Sequence, residues 1–193
     1  MPKTRRDHNS DATRQAIIHA ATRLFGQHGY AATPLSAVTE AAAVTTGAVY
    51  HHFGDKQGLF RAVAEGVEAE ILQRITTAGA GQPTLWDIFV TGTLAMLEIC
   101  AEPHIQQIAF ADAPNVLGAA AWRETEKRYA FGLLRQVLEG LRQSGVIRIG
   151  SADVVAPILL GAAIEAATAV ARDPAALGEA RATLLRLLDS LRS

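Results

Sequence analysis

Residues 33–60 read TPLSAVTEAAAVTTGAVYHHFGDKQGLF, and this stretch decides the fold of the chain. Its first part carries apolar side chains at helical spacing, which predicts a short helix with one apolar face. These side chains are Leu35, Val38 and Ala42. The preceding pair Thr33-Pro34 is typical of a helix start, with threonine as the cap and proline at the first helical position.

A second short helix is predicted to follow a tight turn, with Thr45 or Thr46 as its cap and its end near His51. Two helices this short cannot bury their apolar faces alone, so they need a third helix as a base. Residues 11–28 supply that helix, and Gly29 suits the left-handed position that closes it. The three helices together predict a helix-turn-helix, whose second helix enters the DNA major groove.

The second short helix carries side chains that suit contact with DNA. Threonine hydroxyls and methyls read base edges, and small residues let the helix approach closely. The predicted DNA contacts are Thr33, Thr45, Thr46, Gly47, Ala48, Tyr50, His51 and Lys56. The same residues can instead serve only to cap and turn the chain, because similar helix pairs occur in bundles that do not bind DNA.

A wider pattern runs from Thr13 to Glu65. Its segments are Ala20-Ala21, Leu24-Phe25, Gly29-Tyr30-Ala31-Ala32-Thr33, Ala41-Ala42-Ala43-Val44-Thr45, Gly47-Ala48-Val49-Tyr50-His51-His52-Phe53 and Asp55-Lys56-Gln57-Gly58-Leu59-Phe60. In order and spacing, these segments resemble the DNA-binding domain of the TetR family of transcriptional regulators. Two positions depart from the family pattern. Ala43 stands where the family usually has a turn glycine, and Thr46 stands where lysine or arginine is frequent. Both departures leave the operator sequence open.

The order of predicted helices, about nine in all, gives an all-α protein in two parts. The first part is a three-helix helix-turn-helix DNA-binding domain over residues 11–65, preceded by a flexible basic arm at 1–10. The second part, residues 66–193, is expected to be a helical domain for effector binding and dimerisation.

The family resemblance also implies partners. They are double-stranded DNA with a palindromic operator, a small-molecule effector of unknown identity, and a second copy of the chain. The homodimer is expected to form through the eighth and ninth predicted helices, residues 151–172 and 173–191. The usual outcome in the family is repression that the small molecule relieves.

The composition agrees with a helical protein, because alanine and leucine dominate and β-branched alternation is scarce. The net charge is −1, and residues 1–60 carry 6 Lys/Arg against 4 Asp/Glu, so charge alone would not hold DNA. Cys100 is the only cysteine, and the polar N-terminus lacks the apolar core of a secretory signal. Both features predict a cytoplasmic protein.

Residues 154–171 are apolar nearly all round, so a membrane span must be weighed. Pro157 and Glu165 interrupt the run, and alanine is a weak membrane residue. Burial between helices is therefore the better interpretation, and no membrane partner is predicted.

Large side chains between residues 86 and 129 are candidates for an effector pocket. They are Trp86, Phe89, Met96, Phe110, Trp122 and Tyr129. Each of them can instead belong to the ordinary core, because pockets are few per protein.

The sequence offers no arrangement typical of an enzyme, such as a metal-ligand cluster, a phosphate-binding glycine loop or a Ser/His/Asp set. No catalytic residue, metal ligand or cofactor is therefore predicted. The alternative to a regulator is a helical scaffold that binds only protein. Sequence-selective retention on DNA distinguishes the two hypotheses.

Overall fold

The computed structural model describes the backbone of residues 5–193 and the side chains from Ser10 onward. Except for Ser10, the side chains of the predicted basic arm, including Lys3, therefore lie outside the described residues. Within the described part of the chain all named elements are helical, which confirms the predicted all-α class. The one isolated antiparallel bridge found there joins Ile147 to Arg192.

The helices of the described residues are, in chain order, α1 (Arg5–Ala32), α2 (Leu35–Ala41), α3 (Thr46–Phe53), α4 (Lys56–Gly79), α5 (Leu85–Cys100), α6 (Pro103–Ile105), α7 (Ala113–Leu117), α8 (Ala119–Glu126), α9 (Ala130–Gln143), α10 (Ala152–Arg172) and α11 (Leu177–Asp189). A π-helical segment, Gln106–Asp112, joins α6 to α7, and a 3₁₀ turn precedes α11. The first helix begins several residues before the predicted start, because no glycine or proline interrupts the chain there.

The chain divides into two compact units. The first unit holds the residues up to Val67 together with Pro103–Trp122, and the second holds Glu68–Glu102 together with Arg123–Ser193. The prediction from sequence treated residues 66–193 as one continuous part. The segment Pro103–Trp122 instead belongs to the same unit as the three N-terminal helices.

Close packing against α1 explains why this inserted segment joins the first unit. A Cβ atom placed on Gly26 would lie only 2.7 Å from the Cβ of His104, so the glycine permits the close approach. Ile105 and Ile108 are fully buried. Their burial favours this packing through the apolar surface removed from water.

An aromatic cluster joins α1 to the start of α4 in the first unit. The ring of Phe60 packs edge-on against Phe25, with centroids 5.3 Å apart, and against Tyr30, with centroids 5.0 Å apart. Val38 of α2 and Val49 of α3 are fully buried as well. The two short helices therefore gain most of their stability from tertiary packing rather than from their own length.

The start of α2 differs from the prediction. Pro34 occupies the N-cap position and makes no side-chain capping hydrogen bond. The hydroxyl of Thr33 donates backward instead, to the carbonyl oxygen of Gly29 at 2.8 Å. The prediction of Thr33 as a cap was wrong, because this hydroxyl closes the kink at Gly29, where φ is +77°.

The helical stretch over residues 113–143 is interrupted twice. Gly118 has φ of +87°, a left-handed conformation that ends α7 before α8 begins. The second interruption separates α8 from α9, where Tyr129 has non-helical dihedral angles. A Cβ atom on Gly132 would lie 2.5 Å from the carbonyl oxygen of Lys127, so this break depends on a glycine that follows it.

The second unit has its own core. Leu138 and Leu141 of α9 pack with Leu188 of α11 and with Ala156 of α10. The 21-residue helix α10 has a mean hydropathy of 2.0 in its most apolar window, enough to cross a membrane by length and composition. Core helices of soluble proteins share this length and composition, so α10 is weak evidence for a membrane span.

Candidate nucleic-acid interface and effector cavity

Helix α3 presents one polar face to solvent and one apolar face to the first unit. Thr46, Gly47 and His51 are exposed, and Tyr50 is 55% exposed. These positions follow the spacing of neighbours on a single helical face. On the opposite side Val49 is fully buried, so the exposed face is held in place.

The N-terminus of α3 is fixed by its cap. Thr45 is extended, with φ of −80° and ψ of 155°, and its Oγ1 accepts a hydrogen bond from the backbone N–H of Ala48 at 3.3 Å. The cap uses one of the backbone donors that open a helix, and the positive end of the helix dipole is exposed beside Thr46. An anion such as a DNA phosphate is favoured at this end.

The turn between α2 and α3 contains an alanine in a left-handed conformation. Ala43 has φ of +53° and is the one non-glycine residue with positive φ among the residues that the structure describes. The turn is closed by a hydrogen bond from the N–H of Val44 to the carbonyl oxygen of Thr39 at 3.0 Å. An L-residue in this left-handed conformation carries strain of roughly 1–2 kcal/mol.

Besides Thr45, two predicted DNA contacts have side chains with internal hydrogen bonds. The side chain of Thr33 is only 1% exposed, and its hydroxyl bonds to Gly29 as described above. The ammonium of Lys56 donates to the carbonyl oxygen of Tyr30 at 2.7 Å and lies 4.2 Å from the centre of that ring. Burial lowers the pKa of Lys56, while the charge of Asp112 acts in the opposite direction.

The inserted segment contributes to the same network. The backbone N–H of Tyr30 donates to Oδ2 of Asp112, which also accepts from the side-chain amide of Gln107 at 3.1 Å. Gln57 of α4 donates to the carbonyl oxygen of Val116 at 2.6 Å. The end of α1 and the start of α4 are therefore both hydrogen-bonded to the segment Pro103–Trp122.

The second unit contains a cavity of about 290 Å³. Its walls come from α4, α5, α9 and α10 and from Ala80, which follows α4. The lining residues are Ile75, Thr76, Gly79, Ala80, Ile88, Phe89, Gly92, Thr93, Met96, Ala130, Leu133, Leu134, Val137, Leu159, Leu160 and Ala163. All but two of these side chains are apolar or glycine, so the cavity presents almost no charge or hydrogen-bonding capacity.

The six residues predicted to bind an effector lie in different places. Phe89 and Met96 line this cavity, whereas Phe110 and Trp122 belong to the first unit. Trp86 packs against Phe89 with ring centroids 5.6 Å apart, and the Arg192 guanidinium lies 4.8 Å from the Trp86 ring.

Tyr129, the remaining candidate, is half-buried and forms the N-cap of α9, next in sequence to the lining residue Ala130. Most of the wall was missed because aliphatic residues at helical spacing are indistinguishable from ordinary core in the sequence.

Charged side chains near α5 have partners within the second unit. Glu98 pairs with Arg181, and Glu102 pairs with Arg74, whose Nη1 donates to Oε2 at 3.1 Å. Neither Glu98 nor Glu102 is among the residues that line the cavity.

A buried carboxyl group lies on α4, also within the second unit. Burial, and to a smaller extent the charge of the nearby Glu126 carboxyl, together raise the pKa of Glu68 from 4.5 to about 8. The pKa of Glu126 is itself raised by burial. The thiol of Cys100 is buried nearby, and burial raises its pKa to about 12, so it is not a reactive thiolate at neutral pH.

Two family profiles match the chain. The profile of the bacterial regulatory proteins of the tetR family matches residues 17–63, and that of the tetracyclin repressor-like C-terminal domain matches residues 86–191. The second match alone covers more than half of the 193 residues.

Individual relatives agree with the profiles. The HTH-type transcriptional repressor AcnR of Corynebacterium efficiens is 37% identical over 67 residues, which are 35% of this chain and 36% of that protein. The match therefore spans only about a third of that repressor. The Transposon Tn10 TetC protein of Escherichia coli is 26% identical over 167 residues, covering 82% of this chain and 80% of that protein.

A solved structure is similar over almost the whole chain. It is a TetR-family transcriptional regulator from Pectobacterium atrosepticum, with a TM-score of 0.80 and 32% sequence identity, and the match covers 98% of both chains. The family resemblance seen in residues 13–65 is thereby confirmed. With both profiles and this structure in agreement, the chain belongs to the TetR family of bacterial transcriptional regulators.

Proposed function

We propose that this protein is a sequence-specific transcriptional repressor that leaves its operator when a small molecule binds the second unit. The observation that carries the proposal is the exposed polar face of α3, which is anchored from behind by the buried Val49. A short helix held in this way, with small and hydroxylated side chains outward, suits insertion into the major groove.

Within this face we assign separate roles to the side chains. The hydroxyl and methyl of Thr46 suit base edges, while Gly47 and Ala48 allow the helix to approach them closely. Tyr50 and His51 suit contacts with phosphate oxygens, which position the protein without reading sequence. Together with Thr45 they form the proposed contact surface.

Two of the residues predicted from sequence receive modified roles. We assign Thr33 a structural role, since its hydroxyl and side chain are internal. The ammonium of Lys56 has three N–H groups and donates one of them to the carbonyl oxygen of Tyr30. The remaining two suit a DNA phosphate.

We further propose a homodimer through α10 and α11. Three large apolar side chains on these helices face solvent in the single chain, with Val154 61%, Ile158 64% and Leu187 43% exposed. Pairing around a two-fold axis would cover them and set two copies of α3 on one side. Their spacing should be about 34–36 Å or a multiple of it, which requires a palindromic operator.

Release would follow if the ligand binds one arrangement of the protein more tightly than the other. The chain passes between the two units at residues 67/68, 102/103 and 122/123. These three covalent connections give a bound ligand several routes to alter the first unit. A coupling of about 1–3 kcal/mol would weaken DNA binding roughly 5- to 150-fold.

The relatives favour this function over a scaffold that binds only protein. AcnR is called a transcriptional repressor, and a further relative from Escherichia coli, 29% identical over 159 residues, is called the probable acrEF/envCD operon repressor. A protein of this kind acts where the chromosome lies, so we place it in the cytoplasm.

Selection of bound fragments from random double-stranded DNA tests the proposal. We expect enrichment of a palindrome, and an affinity for it that falls as salt rises, because counterions are released on binding. Binding that is equal for all sequences, or absent at low salt, would contradict the proposed function and favour the scaffold.

A further inference from the structure

We propose that the cavity of the second unit takes an uncharged, largely hydrocarbon molecule of about 10–14 non-hydrogen atoms, such as a medium-chain alcohol or a two-ring aromatic. The inference rests on the proposed function, because it names the class of effector for that site. It is argued from the size of the cavity and from the groups that line it.

The volume sets the size of the ligand. An apolar cavity of about 150 Å³ holds one benzene molecule, so a cavity twice as large accommodates roughly twice as many carbon atoms. The measured volume here is about 290 Å³. Gly92 contributes to this space, because a Cβ atom there would lie 3.3 Å from Cγ2 of Ile75.

The lining groups set the charge of the ligand. Among the described residues that form the wall, none carries an ionisable side chain. A carboxylate or ammonium buried here would lose its hydration without gaining a partner, which is strongly unfavourable. The carboxylates of Glu98 and Glu102, near the end of α5, are paired with arginines.

The two hydroxyl groups of the wall determine which hydrogen bonds a ligand can make there. Thr76 donates to the carbonyl oxygen of Leu72 at 2.7 Å, and Thr93 donates to that of Phe89 at 2.9 Å. Each hydroxyl proton is therefore used within its own helix, while the oxygen lone pairs remain able to accept. A ligand can place a donor, such as an alcohol O–H, against these oxygens, whereas a ligand carbonyl would find no side-chain donor in the wall.

A series of decyl compounds on the intact protein tests this inference. 1-Decanol, decanoate and decylammonium share one chain and differ only in the head group. Binding is measured by titration calorimetry at neutral pH and below the aggregation limit of each compound. We expect 1-decanol to bind at least about tenfold more tightly than either ion. Equal or tighter binding of either ion, or no binding of the alcohol, overturns the inference.

Two variants locate the binding within the cavity. Leu134→Trp adds volume to the wall and is expected to abolish binding of 1-decanol. Thr93→Val keeps the shape of the side chain but removes the accepting oxygen. It is expected to weaken the binding of 1-decanol more than the binding of decane. Circular dichroism checks the fold of each variant. Unchanged affinity in a folded Leu134→Trp protein would refute this location, and the Thr93→Val comparison remains decisive if Leu134→Trp does not fold.

DNA binding is measured separately, so that the two proposals can fail independently. If the protein selects a palindrome but binds no decyl alcohol, the ligand class is wrong and the DNA-binding function stands. If 1-decanol binds the cavity without changing DNA affinity, the ligand class stands and the release mechanism is wrong.

Discussion

The backbone N–H of Tyr30 donates a hydrogen bond of 2.7 Å to Oδ2 of Asp112, a residue 82 positions later in the chain. Tyr30 directly follows the kink at Gly29 near the end of the base helix α1, and Asp112 ends the π-helical segment that packs on it. The same carboxylate oxygen accepts from Gln107. One acidic side chain thus joins the helix-turn-helix to the segment inserted from later in the sequence.

Replacing Asp112 with alanine should destabilise the first unit by about 1–3 kcal/mol, because the N–H of Tyr30 loses its acceptor. Urea unfolding followed by circular dichroism measures the change. Asp112→Asn keeps an oxygen acceptor without the charge, so this variant should lose less stability than Asp112→Ala. Equal stability of the alanine variant and the parent protein would show that water replaces the carboxylate at no cost.

Tyr50→Ala should weaken binding to the selected operator by about 1–2 kcal/mol, roughly 5- to 30-fold, with the fold intact. The side chain is more than half exposed, so few internal contacts are lost. Fluorescence anisotropy with labelled operator measures the affinity. Gln73→Ala, an exposed position in the second unit, is the matched control. If both variants bind as the parent does, the proposed placement of α3 on DNA is wrong.

Ala43→Gly should stabilise the protein by about 0.5–1 kcal/mol. Glycine removes the left-handed strain of roughly 1–2 kcal/mol, and its greater freedom in the unfolded chain offsets part of that gain. Ala42→Gly is the control, because the neighbouring residue has φ of −87° and gains nothing from glycine. That variant should lose about 0.5–1 kcal/mol of stability. Chemical denaturation should therefore find Ala43→Gly more stable and Ala42→Gly less stable than the parent protein.

Glu68→Gln should change how stability depends on pH. The native pKa of Glu68 is about 8, against 4.5 for the free group, so the folded protein binds the extra proton between these values. The protonated carboxyl of Glu68 therefore stabilises the folded parent fully below pH 4.5. The free energy of unfolding of the parent falls as pH rises from 4.5 through 8. The glutamine variant lacks this loss.

The advantage of Glu68→Gln over the parent should therefore grow by about 2–4 kcal/mol between pH 5 and pH 8.5. Denaturant titrations at several pH values measure this difference. Glu70→Gln, at a partly exposed carboxyl on the same helix that pairs with Arg74, serves as the comparison and should follow the parent curve. Parallel curves for Glu68→Gln and the parent would mean that the buried carboxyl titrates normally.

Ile158→Lys should convert the proposed dimer into folded monomers, because it places a charge on the exposed apolar face of α10. Leu188→Lys should unfold the second unit instead, since Leu188 is part of its buried core. Sedimentation velocity and circular dichroism separate these outcomes. A dimer that persists in Ile158→Lys at the same protein concentration would exclude this face of α10.

Much of the first unit could be predicted from sequence, because its motif combines local features at fixed spacing. Gly29 was predicted to take a left-handed conformation, Thr45 was one of two predicted caps, and both are confirmed. The role of Asp112 was not predictable, because the contact joins residues far apart in sequence. Lys56 was predicted as a phosphate contact, but its hydrogen bond to the carbonyl oxygen of Tyr30, 26 residues earlier, was not predictable for the same reason.

The second unit was less predictable. A leucine of α11 such as Leu184 has the same sequence pattern whether it faces its own core or a second chain, and here it is buried in its own chain. Leu133 and Leu160 line a cavity, yet nothing in their spacing distinguishes them from packed residues. Empty space arises from the sum of many side-chain volumes, which one sequence does not specify.

The insertion of Pro103–Trp122 into the first unit has a practical consequence for work with isolated fragments. A truncated protein that stops at Val67 would keep the complete motif but lose the buried Ile105 and Ile108 that cover α1. The uncovered apolar strip would invite aggregation. The first unit is therefore discontinuous in sequence, and a fragment that keeps all of it needs a designed linker joining residue 67 to residue 103.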